Sequence, residues 1–140
     1  MLIQLDMASG TPIYVQLRNQ IVLAIGRGEL KIGQGLPTVR QLAQDTGVNT
    51  MTVNKAYAIL KQEGYIEIDR RHGAKVNPAL DKNGEFREKL EQELRLLIAE
   101  SELKGIGKGD FLALCGDLFD ALANAEDAPA NREREAADCG

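Results

Sequence analysis

Two short amphipathic patterns meet at one glycine in "LPTVRQLAQDTGVNTMTVNKAYAIL", residues 36–60. On the N-terminal side, Val39, Leu42 and Ala43 fall on one side of a helix. On the C-terminal side, Val53, Ala56, Tyr57 and Leu60 recur at i, i+3, i+4 and i+7, the spacing of a buried stripe. Gly47 can adopt the left-handed conformation that stops the first helix, and Asn49 or Thr50 can cap the next one. Two helices joined so tightly cannot lie in line, so they must cross over a shared core. Thr38 and Gln41 fit a capping box that would start the first of the pair.

The flanks extend the pattern. Thr11-Pro12 opens an earlier helix, with the proline where a helix tolerates it. Ile13, Leu17, Ile21 and Ala24 stripe that helix, Leu23 and Ile25 are expected to widen the stripe, and the helix should stop near residues 26–28. "GELKIGQGLP" reads as a glycine-rich connector. Gly64 should close the third helix. "YIEIDRRHGAKV" then alternates strand formers Tyr65, Ile66, Ile68 and Val76 around a polar tip, Arg70-Arg71-His72-Gly73, the signature of a β-hairpin. The order is helix, helix, tight turn, helix, hairpin: a helix-turn-helix followed by a two-stranded wing.

On the third helix Met51 and Lys55 lie opposite the apolar stripe, flanked by Thr50, Thr52 and Asn54. Short Asn and Thr side chains can hydrogen-bond base edges or phosphates, and a Met or Thr methyl can touch a thymine methyl. The alternative is a capped helix with a solvated face. The net charge of −4 argues against nucleic acid only until it is divided. Residues 1–76 carry nine basic and six acidic residues, against eight and fifteen in residues 77–140. Such asymmetry suggests different partners for the two halves.

The matching order and spacing identify a resemblance. Pro12-Ile13-Tyr14, Gly28-Glu29-Leu30, Leu36-Pro37-Thr38-Val39-Arg40-Gln41-Leu42-Ala43, Gly47-Val48, Thr52-Val53, Ala56-Tyr57 and Glu63-Gly64 resemble the winged helix-turn-helix domain of the GntR family of bacterial transcription regulators, over residues 11–76. The short remainder resembles the YtrA-like branch, whose tail is a pair of helices used for dimerisation. The resemblance implies a DNA contact for Arg40, recognition-helix positions for Asn49, Thr50, Met51, Thr52 and Asn54, and a wing tip of His72 and Gly73 reaching the minor groove. Thr38 and Lys55 would border that surface, and Arg70 and Arg71 would lie near phosphates. The chain departs from many members at Thr50 and Asn54, where they carry arginine, and at Arg71, which replaces a wing glycine. These departures leave the operator sequence open.

In the tail, Phe86, Leu90, Leu94, Leu97 and Ile98 stripe a helix over about residues 84–103. Phe111, Leu112, Cys115, Leu118, Phe119 and Leu122 stripe a second over about 109–123. "KGIGKGD" joins them into an antiparallel hairpin with bare apolar faces. A second copy of the chain, or its own winged domain, would have to cover them. Phe86, Leu90, Leu94, Leu97, Ile98, Phe111, Cys115, Leu118 and Leu122 are the expected dimer contacts. Residues 124–140, "NAEDAPANREREAADCG", are polar and expected to be disordered.

Little else in the chain carries chemistry. One His and two Cys give no metal-ligand spacing. Cys115 lies on an apolar face, and "GIGKGD" lacks the preceding strand and the Lys-Ser/Thr of a phosphate loop. No catalytic residue, metal or cofactor is expected. No apolar run reaches the roughly 18 residues of a membrane span, and residues 1–10 lack the form of a signal peptide, so the cytoplasm is the default compartment. The expected architecture is mainly α with a small β-hairpin: a winged helix-turn-helix domain over 1–77, a dimerisation hairpin over 78–123 and a loose tail over 124–140. The expected function is a homodimeric regulator, repressing by default, on a palindromic duplex operator, with an effector of unknown identity allowed for. A winged-helix module binding protein instead of DNA is the rival, as is a DNA binder holding a small ligand between its tail helices.

Overall fold

The computed structural model describes residues 3–78, 80 and 84–123. The chain divides into two compact units, with the boundary after Leu80.

The first unit is built on three helices and a hairpin. α1 spans Ile13–Gly26, α2 Val39–Thr46 and α3 Thr50–Gln62; β1 spans Ile66–Asp69 and β2 Gly73–Val76. α1 starts at Pro12, whose carbonyl accepts from Val15 and Gln16. It buries Leu17, Ile21 and Ala24. Leu23 does not widen this stripe, being 40% exposed. At about 100° per residue it points well away from both Ile21 and Ala24. Ile25 does pack against the core.

The crossing of α2 and α3 follows from their caps. Thr38 Oγ1 accepts from the Gln41 backbone N–H at 3.0 Å. The reciprocal half of the capping box is absent, because the Gln41 amide donates to Asp45 Oδ1 instead. Gly47 takes φ +71°, where a Cβ would be strained, and its N–H closes on the Ala43 carbonyl. Asn49 Oδ1 then accepts from Met51 N–H at 2.7 Å and starts α3. α3 buries Val53, Ala56, Tyr57 and Leu60 against α1 and α2. Gly64, at φ +88°, lets the chain leave α3 for the hairpin.

β1 and β2 pair antiparallel in the register Ile66–Val76, Glu67–Lys75, Ile68–Ala74, Asp69–Gly73. Ile66 and Val76 close the bottom of the core, while Ile68, nearer the tip, is 45% exposed. The glycine-rich connector is more than a loop. Val76 N–H donates to Gln34, and the N–H groups of Gly33 and Leu36 donate to Val76 and Ala74. Residues 33–36 therefore form a third, short rung on the free edge of β2, with a bridge at Gly35–Lys75. Residues before α1 are also tied down. The Gln16 side chain bonds both the N–H and the carbonyl of Asp6 and the carbonyl of Thr11, and Ile3 and Leu5 pack on the core.

Two polar links pin the helices. The Arg18 guanidinium meets both Glu63 carboxylate oxygens at 2.9 and 3.1 Å and lies over the Tyr65 ring. The Glu63 hydrogen bond raises the Arg18 pKa. Tyr57 Oη donates to the Pro37 carbonyl at 2.6 Å, joining α3 to the residue before the α2 cap.

The second unit contains α4, Glu85–Leu103, and α5, Lys108–Ala123, in contact with each other. Glu85 and Glu88 complement the amino end of α4, and Gly105, at φ +89°, turns the chain toward α5. No residue of either helix is buried. Residues 124–140, expected to be disordered, lie outside the described residues.

Burial pushes the Tyr57 pKa up to about 12. The folded state thus holds a proton that the unfolded chain releases near pH 10, so stability falls as pH rises from about 10 toward 12. Tyr57→Phe should lose about 1–2 kcal/mol at neutral pH, because the Pro37 carbonyl loses its partner. Urea melts across pH should show that deficit shrinking above pH 10; a constant deficit would mean the hydroxyl is not buried as described.

Candidate nucleic-acid interface

Burying one side of α3 decides what the other side offers. With Val53, Ala56, Tyr57 and Leu60 turned inward, Thr50, Met51, Asn54, Lys55 and Ala58 are exposed. Met51 is 76% exposed. Thr52 is half-buried at the margin. Ala58, one turn beyond Asn54 on the same face, was not among the expected residues. Its signal was its spacing of seven from Met51, and its small size keeps that face open.

α2 supplies the adjoining wall. Arg40 is exposed in the first turn of α2 and shares a shallow open cleft with Gln44, Asn49 and Thr50. Two of the expected contacts are already occupied. The Thr38 hydroxyl caps α2 and the Asn49 side-chain oxygen caps α3. They hold the frame, and their remaining lone pairs and the Asn49 NH₂ are what is left for a ligand. Lys55 Nζ stacks 3.9 Å from the Tyr14 ring centroid on α1, a cation–π contact that fixes where its charge sits.

The hairpin tip is organised by a residue that sequence reasoning passed over. Asp69 Oδ1 accepts from Arg71 N–H at 2.8 Å, and Asp69 Oδ2 meets His72 Nδ1 at 3.1 Å. Gly73, at φ +72°, then returns the chain into β2. An Asp at the start of a four-residue reversal is a turn signal that could have been used. The same contacts, the Arg71 N–H first and His72 second, hold the Asp69 carboxyl below the usual aspartate range. Arg70, Arg71 and His72 are exposed around this turn. Lys75 is not a free cation, since its ammonium pairs with Glu67 at 3.1 Å across the strands.

The expected dimer residues sit on α4 and α5 without being covered. Phe86, Leu90, Leu97, Ile98 and Leu118 are 41–61% exposed, while Leu94, Phe111, Cys115 and Leu122 are half-buried. Leu96, Leu103, Leu112, Leu114 and Phe119 are exposed as well, so the apolar surface is broader than one stripe. Among the described residues no helix is long and apolar enough to cross a membrane, and no cluster of His, Cys, Asp and Glu could hold a metal ion.

This arrangement has known counterparts. The family model described as "Bacterial regulatory proteins, gntR family" matches residues 13–76. The HTH-type transcriptional repressor YtrA of Bacillus subtilis is 42% identical over 76 residues, which cover 54% of this chain and 58% of YtrA. The uncharacterised HTH-type regulator YhcF of the same organism is 31% identical over 105 residues, 74% of this chain and 87% of YhcF. Among solved structures, YtrA from Sulfolobus acidocaldarius, a GntR-family transcription factor, superposes with a TM-score of 0.60 at 38% identity. It covers 71% of this chain and 99% of its own.

Acid should loosen the wing turn. Because the Asp69 pKa is depressed, its contribution is present at neutral pH and is lost as pH falls through that lowered value. Carboxyl-carbon NMR should place the Asp69 midpoint below the usual aspartate range, and Asp69→Ala should speed exchange of the Arg71 amide. An ordinary midpoint would show the turn is held otherwise.

Proposed function

The chain belongs to the gntR family of bacterial regulatory proteins, and on that premise we propose that it binds a palindromic duplex operator as a homodimer and represses transcription. The observation that carries this reading is the exposed face of α3. Met51 and Asn54 stand in water on the first turns of the second helix of a helix-turn-helix, the part that enters a major groove. Arg40 borders that face in the cleft at the amino end of α3. The wing, with Arg70, Arg71, His72 and Gly73 at its tip, would lie along the flanking minor groove. Lys55 and the wing arginines suit phosphates, which supply the salt-dependent part of affinity. The sense of regulation follows the relative named as a repressor. Such a protein works where the DNA is, in the cytoplasm.

The homodimer rests on a separate observation. α4 and α5 leave a broad apolar surface in water, with Phe119 and Leu103 at 74% and 85% exposure. A surface that large and apolar is costly to leave wet. A second copy would cover it symmetrically, and a two-fold protein matches a two-fold operator.

Selection from a randomised duplex pool should recover a palindrome with half-sites about one helical turn apart. Recovery of nothing at low salt would overturn DNA binding in favour of a protein-binding module. Arg40→Ala should weaken operator binding by about 1–3 kcal/mol; unchanged affinity would remove Arg40 from the interface. Leu118→Glu should shift the protein toward monomer in sedimentation, and an unaltered dimer would place the interface elsewhere.

A further inference from the structure

The structure narrows which bases α3 can read, and this narrowing rests on the DNA-binding role proposed above. We infer that α3 reads A·T pairs: adenine through Asn54 and the thymine methyl through Met51, with no bidentate guanine contact from this helix.

Guanine presents two acceptors in the major groove and is read best by two donors from Arg or Lys. α3 has no arginine, and its cations are Lys55 and Lys61. The Lys55 ammonium is held on the Tyr14 ring of α1, 3.9 Å from its centroid. Lys55 shares the outward face with Met51, but this contact draws its ammonium toward α1, where it suits a phosphate at the groove edge. Lys61 lies in the last turn, roughly 15 Å along the axis from Met51, beyond the turns that enter a groove. The Asn49 oxygen already accepts from the Met51 N–H, which sets the orientation of this amide at the N-cap of α3 and leaves it less free than Asn54 to pair bidentately with a base.

Asn54 is the amide on this face left with both acceptor and donor. It is exposed, and its amide makes none of the hydrogen bonds among the described residues. One donor and one acceptor match the N7 and N6 amine of adenine. Met51, 76% exposed, has no hydrogen bond to give. Its thioether is a flexible apolar probe, and the thymine methyl is the one apolar group in the major-groove edge pattern. Ala58, next on this face, is too small to keep either from reaching the bases.

The test uses the full-length protein and the duplex recovered by selection. The half-sites should be built on A·T pairs under α3. Replacing thymine with deoxyuridine there should weaken wild-type binding by about tenfold, at the scale of one base contact, and should leave Met51→Ala indifferent. Asn54→Arg should move the preferred base from adenine toward guanine in a repeated selection. Circular dichroism should show both variants folded, as their exposed positions favour. A palindrome whose pairs under α3 are G·C, or a wild-type protein blind to deoxyuridine, would overturn this inference and leave the regulator reading standing. Failure to recover any duplex would overturn the regulator reading and this inference with it.

Discussion

The seating of α3 on α1 governs the first unit. Leu17 and Ile21 of α1 and Val53 and Leu60 of α3 are wholly excluded from water. Burying such side chains stabilises the fold by about 1.5–3 kcal/mol each, which fixes the rotation of α3 about its own axis. Once that rotation is set, the identity of the outward residues is no longer free: residues at 51, 54 and 58 must face away. The polar links then remove the remaining slack. The Tyr57–Pro37 bond ties α3 to the start of α2, and the Arg18–Glu63 fork ties its end to α1. A presented surface of this kind owes its precision to groups it does not contain.

Much of this was legible because it rests on local rules. Gly47 and Gly64 marked helix ends, Asn49 marked a start, and the apolar spacings of α1 and α3 marked which side would be covered. What was missed depended on partners distant in sequence. The pairing of residues 33–36 with β2 cannot be read from a glycine-rich stretch, since its partner lies some forty residues on. The capping box failed on its second half because Asp45 competes for the Gln41 amide from the same helix. Leu23 was assigned inward by composition where helical geometry turned it out. The pairing of Lys75 with Glu67 became visible only with the strand register.

The candidate interface was legible as positions, less so as roles. Thr38, Asn49 and Thr50 share a residue type that caps helices and contacts DNA equally well. Sequence alone cannot apportion a side chain between those uses, because the choice is made by the backbone N–H within its reach. The structure apportions them: Thr38 and Asn49 are engaged in caps, while Thr50 and Asn54 are not. Asp69 shows the converse. It reads as an unwelcome negative charge beside Arg70 and Arg71, yet its two oxygens organise the turn that presents them.

The acidic chain as a whole poses less difficulty than its net charge suggests. Charges separated by more than a Debye length, about 8–10 Å at ordinary salt, hardly sense each other. What matters to a polyanion is therefore the charge left uncompensated at the contact surface. In the first unit, Glu63 is matched by Arg18 and Glu67 by Lys75. Asp69 is engaged by the Arg71 N–H and His72. The acidic excess falls in residues 77–140, where Glu91 and Glu93 of α4 pair with Arg95 and Lys89 while Glu85, Glu88, Glu100 and Glu102 add to its exposed surface. An acidic, apolar-faced helical unit would repel a phosphate backbone while attracting another apolar surface. The acidic excess is thus set apart in sequence from the residues proposed to meet nucleic acid.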